Sequence, residues 1–135
     1  MNNNVKIFLS VIGLLILGTI ATVVARGGGG GMPPAPGKYD GFAQCLKDSG
    51  AVFYGAFWCP HCQAQKKLFG TSQKFLPYVE CSTPDGKGQT PFCTEKNISN
   101  YPTWELKDGT RIPVENSAGV TLETLAAKTS CVLPQ

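Results

Sequence analysis

The 135-residue sequence holds one histidine, His61, and almost no excess of either charge. A lone imidazole gives little support for a histidine-built metal site. Lysine and arginine number 12 against 9 aspartate and glutamate, and Lys6 and Arg26 precede residue 38. From Lys38 onward the balance is ten against nine. No basic face is implied, so nucleic acid is not an expected partner. There is no internal repeat. Nor is there a second apolar stretch able to cover the N-terminal one on all sides, which removes a buried core helix from its readings.

Cysteine, by contrast, is plentiful. Six in so short a chain, an even count, suit an oxidising compartment better than a reducing cytosol. The N-terminus agrees. Residues 7–25 form a nineteen-residue apolar run, interrupted only by Ser10, Thr19, Thr22 and glycines. As a helix it would span about 28 Å at about 1.5 Å per residue, near the thickness of a hydrocarbon core. Lys6 before the run favours an exported C-terminal side, while Arg26 weakens that signal. We expect 1–25 to be an uncleaved signal anchor, a transmembrane helix. The alternative is a signal peptide cleaved after Val23-Val24-Ala25, releasing a secreted domain. Residues 26–37, five consecutive glycines followed by Pro33, Pro34 and Pro36, read as a linker reaching on the order of 20 Å. The remainder, 38–135, is long enough for one modest domain.

Within that domain Tyr39–Ser49 patterns as a helix, with Tyr39, Phe42 and Leu46 on one stripe, Cys45 beside it and Gly50 as the stop. Ala51–Phe57 is a nearly continuous apolar strand. A helix follows from Pro60 to about Phe69, with its proline in the first turn, where a missing N–H costs little. Leu76–Cys81 is a second strand and Phe92–Asn97 a short helix. Thr103–Leu106 and Arg111–Val114 flank Lys107-Asp108-Gly109-Thr110, a hairpin turn. Thr121–Lys128 closes with a helix. This order implies an α/β sheet with helices on both faces.

The chemistry sits where the first strand meets its helix, at Cys59-Pro60-His61-Cys62. A thiol at a helix N-terminus meets unpaired N–H groups and the positive end of the helix dipole, which favour its thiolate. Cysteines in that setting fall from a pKa of about 8.5 to roughly 3.5–7. Cys59 is the expected exposed nucleophile and Cys62, one turn in, the buried resolving thiol. His61 can donate a hydrogen bond or a charge toward the thiolate. Trp58 is expected to be partly exposed beside Cys59, Phe57 to be buried, and Lys66 and Lys67 to form a solvated helix face. A zinc site completed by Cys81 and Cys93 is disfavoured, because eleven residues separate that second pair. A purely structural 59–62 disulfide gains little chain entropy from so short a loop.

The order of elements, the Phe57–Cys62 run and Tyr101-Pro102-Thr103-Trp104 resemble the thioredoxin superfamily. With Tyr78-Val79-Glu80-Cys81 and Cys93, the segment from about Ala51 to Ala127 more closely resembles the thioredoxin-like domain associated with bacterial vitamin K epoxide reductase homologues. The resemblance implies a thioredoxin fold, a central mixed sheet of about four strands flanked by helices. It implies a cis bond before Pro102 opposite the dithiol, with Tyr101, Pro102 and Trp58 facing substrate. It also implies an enzyme that exchanges thiols and disulfides without a bound cofactor. Its substrates would be proteins with free thiols, and a quinone-linked membrane protein of the vitamin K epoxide reductase type would reoxidise it.

The Pro-His pair is the one that the periplasmic oxidase DsbA carries, whereas thioredoxin carries Gly-Pro; the two potentials differ by about 150 mV. The expectation is therefore an oxidant on the extracytoplasmic side, periplasmic or cell-surface. A reductase or isomerase is the alternative, and a non-catalytic binding or zinc module the alternative of another class. The chain departs from thioredoxin six residues before Cys59: Phe53 stands where thioredoxin keeps a buried aspartate. With 59–62 set aside, the other four cysteines allow three pairings. The resemblance includes Cys81 and Cys93, which flank a loop with Pro84, Gly86, Gly88 and Pro91, so we expect them to pair. Cys45–Cys131 then follows by elimination, with two unpaired thiols as the alternative.

Overall fold

The computed structural model describes the backbone of residues 2–26 and 35–135, and the side chains of 2–15 and 35–135. The chain forms two compact units, 1–35 and 36–135. The first is a helix, α1 (Asn3–Arg26). Among the described residues no helix is long and apolar enough to cross a membrane. The side chains of the second half of the expected span, Ala25 at the possible cleavage point among them, and most of the linker fall outside the described residues.

The second unit is built on a four-stranded sheet of order β2-β1-β3-β4. Strand β1 (Val52–Gly55) lies at its centre. It pairs in parallel with β2 (Tyr78–Glu80) and antiparallel with β3 (Thr103–Glu105). The edge strand β4 (Arg111–Ile112) folds back on β3 through a turn in which Gly109 takes φ 86°. Parallel pairing needs a crossover, here α3 (Pro60–Leu68) and a 3-10 helix, Gly70–Phe75, that the apolar pattern did not announce. The remaining helices are α2 (Asp40–Asp48), α4 (Pro91–Glu95) and α5 (Leu122–Thr129). This mixed sheet flanked by helices fits a thioredoxin-like fold.

Alternation along β1 divides the core in two. Phe53 stacks on Trp104 at 5.0 Å and meets the Tyr78 ring edge-on at 5.1 Å. It joins the cluster containing Phe42 and Leu46 of α2, Cys62 of α3 and Leu125 of α5. Tyr54, the next residue, packs instead with Cys81, Cys93 and Ile98. The structure contains two disulfides, Cys45–Cys131 and Cys81–Cys93. The first ties the chain beyond α5 to α2, and the second closes the loop between β2 and α4.

Two expectations need correction here. β1 stops at Gly55 rather than Phe57, at the point where the Tyr78 ring and Cys62 close in. A Cβ there would lie 2.8 Å from Tyr78 Cε2 and 3.0 Å from Cys62 Sγ. With the ladder ended, Phe57 turns outward and is 49% exposed rather than buried, much like Trp58 at 50%. Its N–H is taken by the Glu80 carboxylate at 3.2 Å.

Candidate active site

Cys59 is the N-cap of α3 and Pro60 its first residue, so the dithiol spans the first turn. The Cys62 N–H donates to Cys59 Sγ at 3.3 Å. A sulfur in this position takes the place of a capping oxygen and receives a donor that stabilises negative charge. Cys59 and Cys62 are the two free cysteines. Burial, then the hydrogen bond with Cys59, pushes the Cys62 thiol up to about 12. Cys59 is less open than expected, only 4% exposed against 1% for Cys62. The cause is the backbone facing it: Cys59 Sγ lies 3.7 Å from the Tyr101 carbonyl, which it can use as an acceptor.

That carbonyl belongs to the cis Tyr101–Pro102 bond. Trp58 meets Tyr101 edge-to-face at 6.2 Å and donates its indole N–H to Ser82 Oγ at 2.8 Å. Gln89 Nε2 donates to the Tyr101 hydroxyl at 2.6 Å. Trp58, Ser82, Gln89 and Tyr101 thus line a shallow cleft of about 210 Å³ beside the dithiol. Tyr101, Pro102 and Trp58 all come to the site, and Pro60 and His61 lie on its exposed side. His61 Nδ1 is 2.7 Å from the Ser117 carbonyl and donates to it, leaving Nε2 as the ring's free nitrogen.

Cys45, Cys131, Cys81 and Cys93 stand apart from this exchange site. Joined in pairs, they leave no thiolate to complete a zinc site with Cys59 and Cys62.

Sequence reasoning missed three polar residues around the dithiol. Gln65 is fully buried, with its amide donating to the Val120 carbonyl at 2.9 Å and accepting the Val120 N–H at 2.7 Å. With His61 it ties α3 to the turn before α5. The signal was its place three residues after Cys62 and four before Phe69, on the buried face of α3. Glu80 accepts from the Phe57 N–H, the Ser82 N–H and the Tyr78 hydroxyl, pinning the loop ahead of Cys59. Lys66, expected to be solvated, lies over the Tyr78 ring with Nζ 3.3 Å from its centroid, while Lys67 is exposed. Burial lowers the Lys66 pKa and raises that of Tyr78, whose hydroxyl also gives its proton's hydrogen bond to Glu80.

Gly119 makes the Gln65 clamp possible. It adopts φ 101°, and a Cβ there would run into Gln65 Oε1. Gly119→Ala is expected to cost about 1–3 kcal/mol, the size of a left-handed strain plus a disturbed buried amide, read from urea unfolding. An unchanged midpoint would remove the clamp from the fold's supports.

No protein-family model matches the chain. Over 71 residues it is 46% identical to the thiol-disulfide oxidoreductase LTO1 of Arabidopsis thaliana, a match covering 49% of this chain and 19% of that one. The matched segment thus amounts to about a fifth of the relative's length. The chemistry in that relative's name is the chemistry that a free dithiol, capped by α3 and faced by the Tyr101 carbonyl, can perform.

Proposed function

We propose that the domain is a protein thiol–disulfide oxidoreductase that works through Cys59 and Cys62 and serves as an oxidant. One observation carries the exchange reading: these two thiols alone are unbonded and sit together at a helix N-terminus, while the other four cysteines are paired. In the oxidising direction a substrate thiolate attacks Cys59 of the 59–62 disulfide and Cys62 leaves as thiolate. A second substrate thiol, once deprotonated, attacks the substrate sulfur of the mixed disulfide and releases Cys59. The substrate loses two electrons and the dithiol gains them. A thiol-bearing protein segment would lie across the Trp58–Tyr101 cleft.

The direction rests on the Pro60-His61 pair and is tested by equilibrium with glutathione buffers, read from the fluorescence of Trp58 beside the dithiol. A potential near about −120 mV supports the oxidant, one near about −180 mV the isomerase and one near about −270 mV the reductase. No exchange at all leaves a binding module. We also expect His61→Ala to lower the potential by about 30 mV or more, a tenfold shift toward the disulfide. An unchanged equilibrium would show that His61 only binds Ser117.

Tethering and reoxidation complete this reading. The apolar run at 7–25, Lys6 before it and the linker after it support a membrane anchor with the domain on the extracytoplasmic side. The resemblance supports a quinone-linked reoxidising protein of the vitamin K epoxide reductase type. Membrane fractions that keep the full chain through alkaline washing support the anchor, while a soluble product lacking 1–25 supports cleavage.

A further inference from the structure

Exchange in either direction passes through Cys62 as a thiolate. It is the leaving group when the disulfide is attacked and the nucleophile when a mixed disulfide at Cys59 is resolved. Its side chain is almost wholly buried, and burial alone opposes that charge. Thioredoxin's aspartate position is occupied by Phe53, so the compensation has to come from elsewhere.

Among the described residues the geometry offers one cation. Lys66 lies one turn beyond Cys62 on α3, so the two side chains share a face. The Tyr78 ring beneath the Lys66 ammonium also borders the cysteine: Tyr78 Cε2 and Cys62 Sγ crowd the same point at Gly55, 2.8 and 3.0 Å from the place of a Cβ. Sulfur and ring edge thus converge at Gly55, and the ammonium lies over the same ring. The ring is held from behind, since the Tyr78 hydroxyl donates to Glu80 Oε2 at 2.7 Å and the other Glu80 oxygen accepts two backbone N–H groups. The titratable groups near Cys62 are Cys59 and Lys66 from α3 and Tyr78 from β2, with Glu80 behind Tyr78 and Lys66. β1 presents Gly55 there, the Ala56 backbone just beyond it also hydrogen-bonds Cys62 and favours the thiolate, and His61 is turned to Ser117.

We propose that Lys66 is a positioning residue for exchange, its ammonium held over Tyr78 to supply the charge against which buried Cys62 becomes a thiolate. The inference rests on the exchange function above. In resolution the Cys62 thiol gives its proton to solvent, and the thiolate attacks Cys59 Sγ of the mixed disulfide. The 59–62 bond forms, the bond to substrate breaks, and the substrate leaves as a thiolate that solvent protonates. Lys66 keeps its proton throughout. It lowers the Cys62 pKa that burial raises, and Glu80 favours its own charged form.

The test uses the reduced full-length chain and an aromatic disulfide whose released thiolate is coloured. Attack by Cys59 releases one equivalent, and resolution by Cys62 releases the second. Stopped-flow traces follow both from about pH 6 to about pH 10, a range on either side of an ordinary thiol pKa. Lys66→Met keeps the stem over Tyr78 and loses the charge. It should leave the first step within about threefold and slow the second about tenfold or more at neutral pH, with its profile moved up by about one unit. Lys66→Arg restores the charge and should restore the second step.

A second step unaffected by Met, or one no better in Arg than in Met, overturns the inference, as does equal slowing of both steps. A wild type that releases neither equivalent overturns the exchange function and this inference with it.

Discussion

Cys59→Ser is expected to abolish disulfide exchange, lowering the rate by at least about a thousandfold, the order seen when a covalent nucleophile is removed. Cys62→Ser should behave differently. Attack at Cys59 still succeeds, resolution fails, and the protein accumulates as mixed disulfides with thiol-bearing proteins. The asymmetry follows from the turn that holds the pair. Cys59 caps α3 with its sulfur facing the Tyr101 carbonyl, whereas Cys62 lies one turn deeper against Gly55. Non-reducing gels followed by reduction would separate the two variants. Trapping by Cys59→Ser, and none by Cys62→Ser, would reverse the roles.

Replacing Cys45 and Cys131 together by alanine should destabilise the domain by about 4.5 kcal/mol, since their bridge spans a sequence separation of 86 in a chain-entropy model. The same change at Cys81 and Cys93, separated by 12, should cost about 3 kcal/mol. Domains of this size are stable by roughly 5–15 kcal/mol, so the first double variant approaches unfolding. It also frees a tail that otherwise returns to α2: Ser130 ends α5 in a left-handed conformation and Cys131 turns into the Phe42–Leu46 cluster. Melting of both variants under oxidising conditions measures the difference. A 45–131 loss no larger than the 81–93 loss would sink the chain-entropy account.

Much of the site was legible because its signals are local. Two cysteines three apart, with a proline at the first helical position, define a capped dithiol whatever surrounds them. Gly50 as a stop and Asp108-Gly109 as a turn were legible for the same reason, since each reports the backbone of its own few residues. Apolar patterning was less informative where it had to say where an element ends. The run from Ala51 to Phe57 is uniformly apolar, yet the strand stops at Gly55. The partner that claims the Phe57 N–H is Glu80, 23 residues away.

The sequence by itself therefore determined the dithiol, its helix, the order of strands and helices, and the balance of charge. The cis bond came into the reading from resemblance, because nothing in the pattern around Tyr101-Pro102 marks it. Only the tertiary structure decided which residues surround the sulfurs. Counting four further cysteines allows three pairings, and the choice belongs to α5, which carries Cys131 back to α2. Gln65, Glu80 and Lys66 look like ordinary polar residues in the chain. They acquire roles only when β2 lies parallel to β1 and the turn at 116–120 closes on α3. Composition and periodicity report which residues seek burial; which polar groups they are buried with depends on contacts between residues far apart in the chain.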